Sequence, residues 1–354
     1  MPKQLARVET HGHYIPPAVF GAAGDYGPEE IFDEQARTWS FRAGKFKTEP
    51  TKMSGPKNKA WKLPPSDPRL RVAEMDKLDI DVMGISASPV IYCYGASIED
   101  GVRYAQVYND EMAAYCSQVP ERLFFIPTLP MQDVKAALAE VKRAHGMGGR
   151  GVNIGTDSLA QMDLDDERLA PLYEYCAAND VPIWLHPAPP GTDDPNYDTA
   201  STPADKYLFT WLIGYPQREM IAFSTIVFSG LLDRYPNLKI CLPHGGGYVP
   251  YQLARLEYAW QGKLTKAIAN KKPVGEYLKN FYFDNIVHDP RARRFLLEIM
   301  GPDNVLVGSN FGGWDWVNGF DFAKDMTSDP AVLHKLCAGN AIKVFGLSGM
   351  GRNI

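Results

Sequence analysis

The fold of this chain is restricted most by a rhythm in its sequence. Short segments that are apolar at nearly every position alternate with stretches of helical spacing, about eight times along the chain. The short segments are Leu5–Val8, Val82–Ser86, Phe124–Thr128, Gly151–Gly155, Pro182–His186, Lys239–Leu242, Phe281–Asp284 and Asn304–Gly308. Strands without polar alternation are those of parallel sheets buried on both faces. Between them the pattern predicts helices over Pro68–Leu78, Ile98–Val119, Asp133–His145, Asp166–Asn179, Ala204–Ile213, Arg218–Arg234, Tyr251–Trp260 and Arg291–Met300, with two more from Pro330 and over Ala338–Phe345. Asp67 followed by Pro68 is a helix start, and Pro120 and the glycines from Gly146 to Gly149 are stops. The expected fold is α/β, a single distorted (β/α)8 barrel over residues 1–354. An open doubly wound sheet is the alternative, but no G-x-G-x-x-G follows any strand. Residues 18–66 break the rhythm; rich in Gly, Pro and Lys, they are expected to form an inserted loop.

In such a barrel the working residues stand at the C-terminal ends of the strands. Four of the seven histidines fall there: His11 and His13 on the first, His186 on the fifth, His244 after the sixth. Asn310 follows the eighth. His11 and His13 are two apart on a strand and so face one side. With His186 they make three nitrogen ligands and leave an open position, the pattern of a catalytic rather than a structural metal site. One divalent cation is expected, zinc first and manganese second. His244 is the candidate acid or base, because an imidazole titrates near neutral pH. His145 and His334 lie on helices and read as structural; His288 reads as a loop residue, with orienting a neighbour the alternative. Arg42, in Trp39-Ser40-Phe41-Arg42, has the guanidinium fork that pairs with a carboxylate. Trp39, Phe41, Tyr92, Trp211 and Trp314 are candidates to line a flat pocket, or plain core.

A net charge of -5 leaves no basic footprint for nucleic acid. No apolar run reaches membrane-spanning length, and Met1–Gln4 lacks the apolar core of a secretory signal. The five cysteines are scattered without a C-x-x-C, as free thiols in a reducing compartment would be. A cytoplasmic protein acting on a small molecule is expected.

These segments together resemble the amidohydrolase superfamily, and within it the metal-dependent non-oxidative decarboxylases. The resemblance runs from about residue 8 to 347. It rests on His11-Gly12-His13-Tyr14-Ile15-Pro16, Arg71–Asp76, Ser88–Tyr94, Thr128–Gln132, His186-Pro187, Cys241–Gly247 running on to Arg255, Val287–Pro290 and Ala338–Ala341. It implies that His11, His13 and His186 bind the metal, that His244 moves the proton, and that Arg42 and Arg255 hold a substrate carboxylate. Arg255 would reach in from a second subunit, so a homodimer is implied. A decarboxylase of an aromatic or muconate-like carboxylate is expected; a hydratase or hydrolase on the same scaffold, or a crippled binding protein, is the alternative.

Asn310 departs from the pattern, since the family usually has an aspartate there as metal ligand and proton carrier. An amide offers an oxygen to a metal but cannot ionise. Three readings stand: an artificial exchange that traps substrate, a natural asparagine with His244 moving protons alone, or Asp315 standing in. The segments Pro189–Pro203 and Ala43–Pro65 depart from the family as well, so the pocket is expected to differ.

Overall fold

The computed structural model describes residues 6–48, 51–52, 66–156, 162–189, 207–313 and 315–351. The parallel strands are β1 (Val8–Tyr14), β6 (Val82–Ala87), β7 (Leu123–Ile126), β8 (Val152–Gly155), β9 (Ile183–His186), β10 (Ile240–Leu242), β11 (Phe281–Asp284) and β12 (Val305–Leu306). They form two parallel sheets, β1-β6-β7 and β8-β9-β10-β11-β12. Single bridges join them at both seams, Thr128 with Asn153 and Gly12 with Phe311. This is the expected (β/α)8 barrel.

Within the strands the side chains divide cleanly. Val8, Val82, Phe124, Trp184, Cys241, Tyr282 and Leu306 gather in one buried cluster with Ala341, Val344 and Phe345 of the C-terminal helix. Their neighbours Met83, Ile85, Phe125, Ile183, Leu185, Ile240, Leu242, Phe281 and Phe283 belong to the larger cluster under the helices. The first set therefore points into the barrel and the second outward, as a strand's two-residue period requires. The C-terminal helix plugs the end where the strands begin, with Phe124 and Phe345 rings 5.3 Å apart. Each of these large side chains contributes about 1.5–3 kcal/mol by leaving water.

Around the barrel run α1 (Pro68–Lys77), α2 (Ile98–Ser117), α3 (Val134–Gly146), α4 (Ala170–Ala178), α5 (Tyr215–Phe228), α6 (Leu231–Arg234), α7 (Val249–Gln261), α8 (Pro290–Met300), α9 (Gly319–Met326), α10 (Pro330–His334) and α11 (Asn340–Phe345). Asp67, Asp133 and Asp289 cap α1, α3 and α8 through side-chain hydrogen bonds to backbone amides. The helix expected over Arg218–Arg234 is two, because Gly230 adopts a left-handed conformation between α5 and α6. The short α9 has no counterpart in the sequence reading. None of the helices among the described residues is long and apolar enough to cross a membrane.

The insertion is not a loop throughout. It contains an antiparallel sheet of β2 (Glu29–Asp33), β3 (Thr38–Ala43), β4 (Phe46–Lys47) and β5 (Thr51–Lys52). The hairpin between β2 and β3 is fixed by Asp33, whose carboxylate accepts from the amides of Gln35 and Ala36. β3 alternates, with Trp39, Phe41 and Ala43 packing on the core between Thr38, Ser40 and Arg42; its neighbours are too short and too charged to show such a period. Most of the lysine-rich stretch, most of Pro189–Pro203, the start of the helix expected from Ala204, and Trp314 lie outside the described residues.

Candidate active site

His11 and His13 owe their direction to an irregularity in β1. Val8 pairs with Val82 and Glu9 with Met83, but Gly12 pairs with Ile85, so β1 holds one residue more than β6 over this stretch. Val8 points inward, and strict alternation would send Thr10 and Gly12 inward with it. The extra residue reverses the phase and turns both histidines into the barrel. Gly12 is required between them, since a Cβ there would lie 2.8 Å from the Gly84 carbonyl oxygen. His186 arrives by plain alternation, two residues after the inward Trp184.

The three imidazoles converge. His11 Nε2 and His13 Nε2 are 3.1 Å apart, and the ring centres of His186 lie 5.1 Å from His11 and 5.3 Å from His13. One ring nitrogen from each lies within 4.8 Å of the others. Ligands bonded to one tetrahedral ion at 2.0–2.1 Å stand roughly 3.3 Å apart, so the donor set fits a single cation. The outer ring nitrogens are all engaged. His11 Nδ1 is 2.6 Å from Asp284 Oδ2, His186 Nδ1 is 2.7 Å from the Pro187 carbonyl, and His13 Nδ1 is 3.3 Å from Ser86 Oγ. Such partners fix the ring and leave the inner nitrogen as the donor atom. Burial lowers the pKa of all three, holding His13 and His186 well below the usual histidine value. Neutral imidazole is the form that binds metal.

His244 is treated differently by its surroundings. Its ring centre is 5.4 Å from both His11 and His186. Its Nδ1 is 2.6 Å from Oε1 of Glu219, which is fully buried on α5. Burial opposes the imidazolium. The Glu219 carboxylate, with Asp284 and Asp315 beyond it, prevails and raises the pKa of His244 above its ordinary value. The surroundings thus push the imidazoles of one mouth in opposite directions, the three of His11, His13 and His186 down and that of His244 up.

Asn310 is buried beside them, with the Phe311 amide donating to the His11 carbonyl at 3.2 Å and the Phe311 carbonyl accepting from His13 at 2.7 Å. The arginines are not drawn in. Arg42 pairs with Glu29 at 2.9 Å and donates to the carbonyls of Gly44 and Asp25, so a substrate carboxylate would have to displace Glu29. Arg255 stands exposed on α7. Of the aromatics, Tyr92 gives its hydroxyl to Asn153, and Trp211 packs on Tyr215, which packs in turn on His186 and His244. His145 bonds Tyr175 on the surface. His288 takes the alternative reading, lying beside a neighbour: its Nε2 is 3.3 Å from Asp315 Oδ2. All five cysteines are free and buried.

The sequence reading missed Glu219 and Asp284, and both left a trace. Glu219, Ala222, Phe223 and Ile226 are spaced as one helix face and all are buried, so the glutamate sits in an apolar stripe. Asp284 ends a barrel strand two residues after the inward Tyr282.

Imidazoles from separate strands thus gather at the C-terminal mouth of a parallel barrel, the face on which barrel enzymes carry their active sites. The chain belongs to the amidohydrolase family, whose sequence profile matches residues 8–347. It is similar to the 2-amino-3-carboxymuconate-6-semialdehyde decarboxylase of Dictyostelium discoideum, 30% identical over 285 residues covering 79% of this chain and 77% of that one. It is also similar to the gamma-resorcylate decarboxylase of Polaromonas, 29% identical over 299 residues covering 78% of this chain and 87% of that one. Among solved structures, the 5-carboxyvanillate decarboxylase of Novosphingobium aromaticivorans, crystallised with manganese and a nitrobenzoic acid, superposes with a TM-score of 0.78 at 21% identity over 98% of this chain and 97% of that one.

Proposed function

We propose that this chain is a metal-dependent, non-oxidative decarboxylase, a carboxy-lyase acting on a planar aromatic or muconate-like carboxylate in aromatic-compound metabolism. The observation that carries the reading is geometric: one ring nitrogen each of His11, His13 and His186 converges on one point, and His244, tied to the buried Glu219, lies 5.4 Å from two of them. The activities named for the relatives support the same reaction.

His11, His13 and His186 hold the cation, with the Asn310 amide oxygen as a further donor. Zinc suits three imidazoles; manganese, found in the 5-carboxyvanillate decarboxylase structure, suits an added oxygen ligand. A divalent cation there supplies a Lewis acid that fixes and polarises a substrate oxygen. Glu219 holds Nδ1 of His244 and leaves Nε2 as the free ring nitrogen. His244 delivers its proton to the carbon that bears the carboxylate. The bond to the carboxylate then breaks, carbon dioxide leaves, and the bonding pair returns to the ring or conjugated chain. Tyr215 and Trp211 bound the mouth and limit water around the reacting carbon.

The working unit is a homodimer in a reducing, cytoplasmic setting that suits the five buried thiols. Leu212, Ile213, Tyr248, Tyr251 and Tyr258 are 39–78% exposed on the helical segment Thr210–Gly214 that leads into α5 and on and before α7, and Tyr248 ties the two by donating to the Ile213 carbonyl. An apolar face of this kind marks a protein contact. Arg255 lies on α7 within it and would enter the mouth of the second copy to hold the substrate carboxylate. Tyr251→Glu with Tyr258→Glu should give a monomer in sedimentation.

The test of the reaction is carbon dioxide release from a panel of aromatic and muconate-type carboxylates. Decarboxylation without oxygen-18 uptake from labelled water is expected. Oxygen-18 in the product favours a hydratase or hydrolase, and unchanged turnover by His244→Ala contradicts the mechanism.

A further inference from the structure

We propose that Asp315 is the carboxylate that completes the cation-binding end of this site, acting through the amide of Asn310. The inference rests on the reading of His11, His13 and His186 as a cation site. It starts from charge. A divalent cation on three neutral imidazoles places two positive charges where the side chains are at most 3% exposed. Buried charge needs a countercharge within reach. Asp284 is already committed, accepting from His11 Nδ1 and from the amides of Gly245 and Ile286.

Asp315 is the next carboxylate. Asn310 Nδ2 donates to Asp315 Oδ1. That bond fixes which end of the amide is free, and the free end, Oδ1, is buried without a hydrogen-bond partner among the described residues. Asn310 precedes Phe311, whose backbone bonds those of His11 and His13, and an unpartnered buried acceptor at that end of the barrel is a group open to a cation or a donor. Asp315 in turn is steadied from outside by His288 Nε2 at 3.3 Å, and only 9% of its side chain is exposed. A carboxylate that accepts from a ligand's N–H orients the ligand and enriches its donor atom. Here the amide supplies the oxygen and the aspartate behind it supplies the charge.

The local chain is built to keep the pair in place. The Val317 amide donates to the Ser309 carbonyl at 2.9 Å, and the Gly313 amide donates to the Asn310 carbonyl at 2.7 Å, closing the loop that carries Asp315. Gly313 lies against the amide so closely that a Cβ would overlap Asn310 Oδ1. Asn310 itself has φ of 51°, a left-handed conformation that asparagine tolerates better than most residues. Asp315 is therefore a positioning residue; it needs no contact with substrate.

The test measures cation binding without substrate. Full-length protein is stripped by chelator and titrated with Mn²⁺ or Zn²⁺ in competition with an indicator, and each variant's melting temperature is recorded alongside. Asp315→Asn, which keeps the side chain's size, should weaken binding ten- to a hundredfold, the usual effect of losing such a partner. The reversed pair, Asn310→Asp with Asp315→Asn, restores one carboxylate and one amide in exchanged positions and should recover affinity to within threefold of the starting protein. If the single variant does not fold, the reversed pair alone decides. A loss of less than tenfold in a folded Asp315→Asn protein, or a reversed pair that fails to recover, overturns the proposal while leaving the imidazole site standing. Failure of the unsubstituted protein to bind any divalent cation overturns both.

Discussion

Glu219 and His244 are joined by a 2.6 Å contact between Oε1 and Nδ1, with the glutamate wholly buried and the histidine at the barrel mouth. The pair joins helix α5 to the glycine-rich turn after β10. Burial pushes the Glu219 carboxyl up to about 7, and the His244 ring beside it opposes that rise.

Glu219→Gln keeps the size of the side chain and removes the charge. Turnover should fall roughly ten- to a thousandfold with little change in KM, because His244, the proposed proton donor, loses its orientation and charge partner. The sign with pH is defined. Glu219 raises the pKa of His244, so its loss lowers that pKa, and the alkaline limb of the kcat profile moves to lower pH. An unmoved alkaline limb would remove His244 as the proton donor.

Glu9 gives a stability test away from turnover. It points outward from β1, and one carboxylate oxygen accepts from the amides of His11 and Ser309 at 2.8 Å while the other has no partner among the described residues. Burial, partly offset by those amides and by Arg71, pushes its pKa up to about 7 from 4.5. The folded protein thus keeps a proton that the unfolded chain releases near 4.5. This contribution is present below that pH and is lost as pH rises through about 7, by roughly 3 kcal/mol in all. Urea unfolding of Glu9→Gln between pH 5 and 8 should show a flatter decline than the unsubstituted protein. Parallel profiles would contradict it.

Gly247 tests the turn that places His244. Its φ is 61°, and an added Cβ would collide with the backbone of Pro216 at the start of α5. Gly247→Ala should destabilise the protein by about 3 kcal/mol through overpacking, and should lower turnover as α5 carries Glu219 away from His244. A thermal melt and an activity assay on the same sample check both effects; an unchanged melting temperature would mean the turn yields freely.

Much of this site is legible in the residue string once the inward phase is known. Trp184 and His186, and Tyr282 and Asp284, are pairs in which an inward core residue is followed two places later by a polar one at the strand's end. His11 and His13 are legible only as a motif. The extra residue in β1 reverses their phase, and nothing local in Val8-Glu9-Thr10-His11 announces it. Glu219 was hidden because a glutamate on a helix reads as surface, although its apolar companions at positions 222, 223 and 226 mark its face as buried. The insertion's sheet was illegible for another reason. Only β3 is long enough to show the two-residue period, in Trp39, Phe41 and Ala43, and its partners are brief and edged with charge, so the Asp33 turn that pairs β2 with β3 was the one other sign of a sheet.

The convergence of the three imidazoles on one cation is tested most directly by an anomalous difference map from crystals grown with zinc. A single peak should lie about 2.0–2.1 Å from one ring nitrogen of each of His11, His13 and His186. No peak between these rings, or a peak that leaves His186 outside bonding distance, would contradict it.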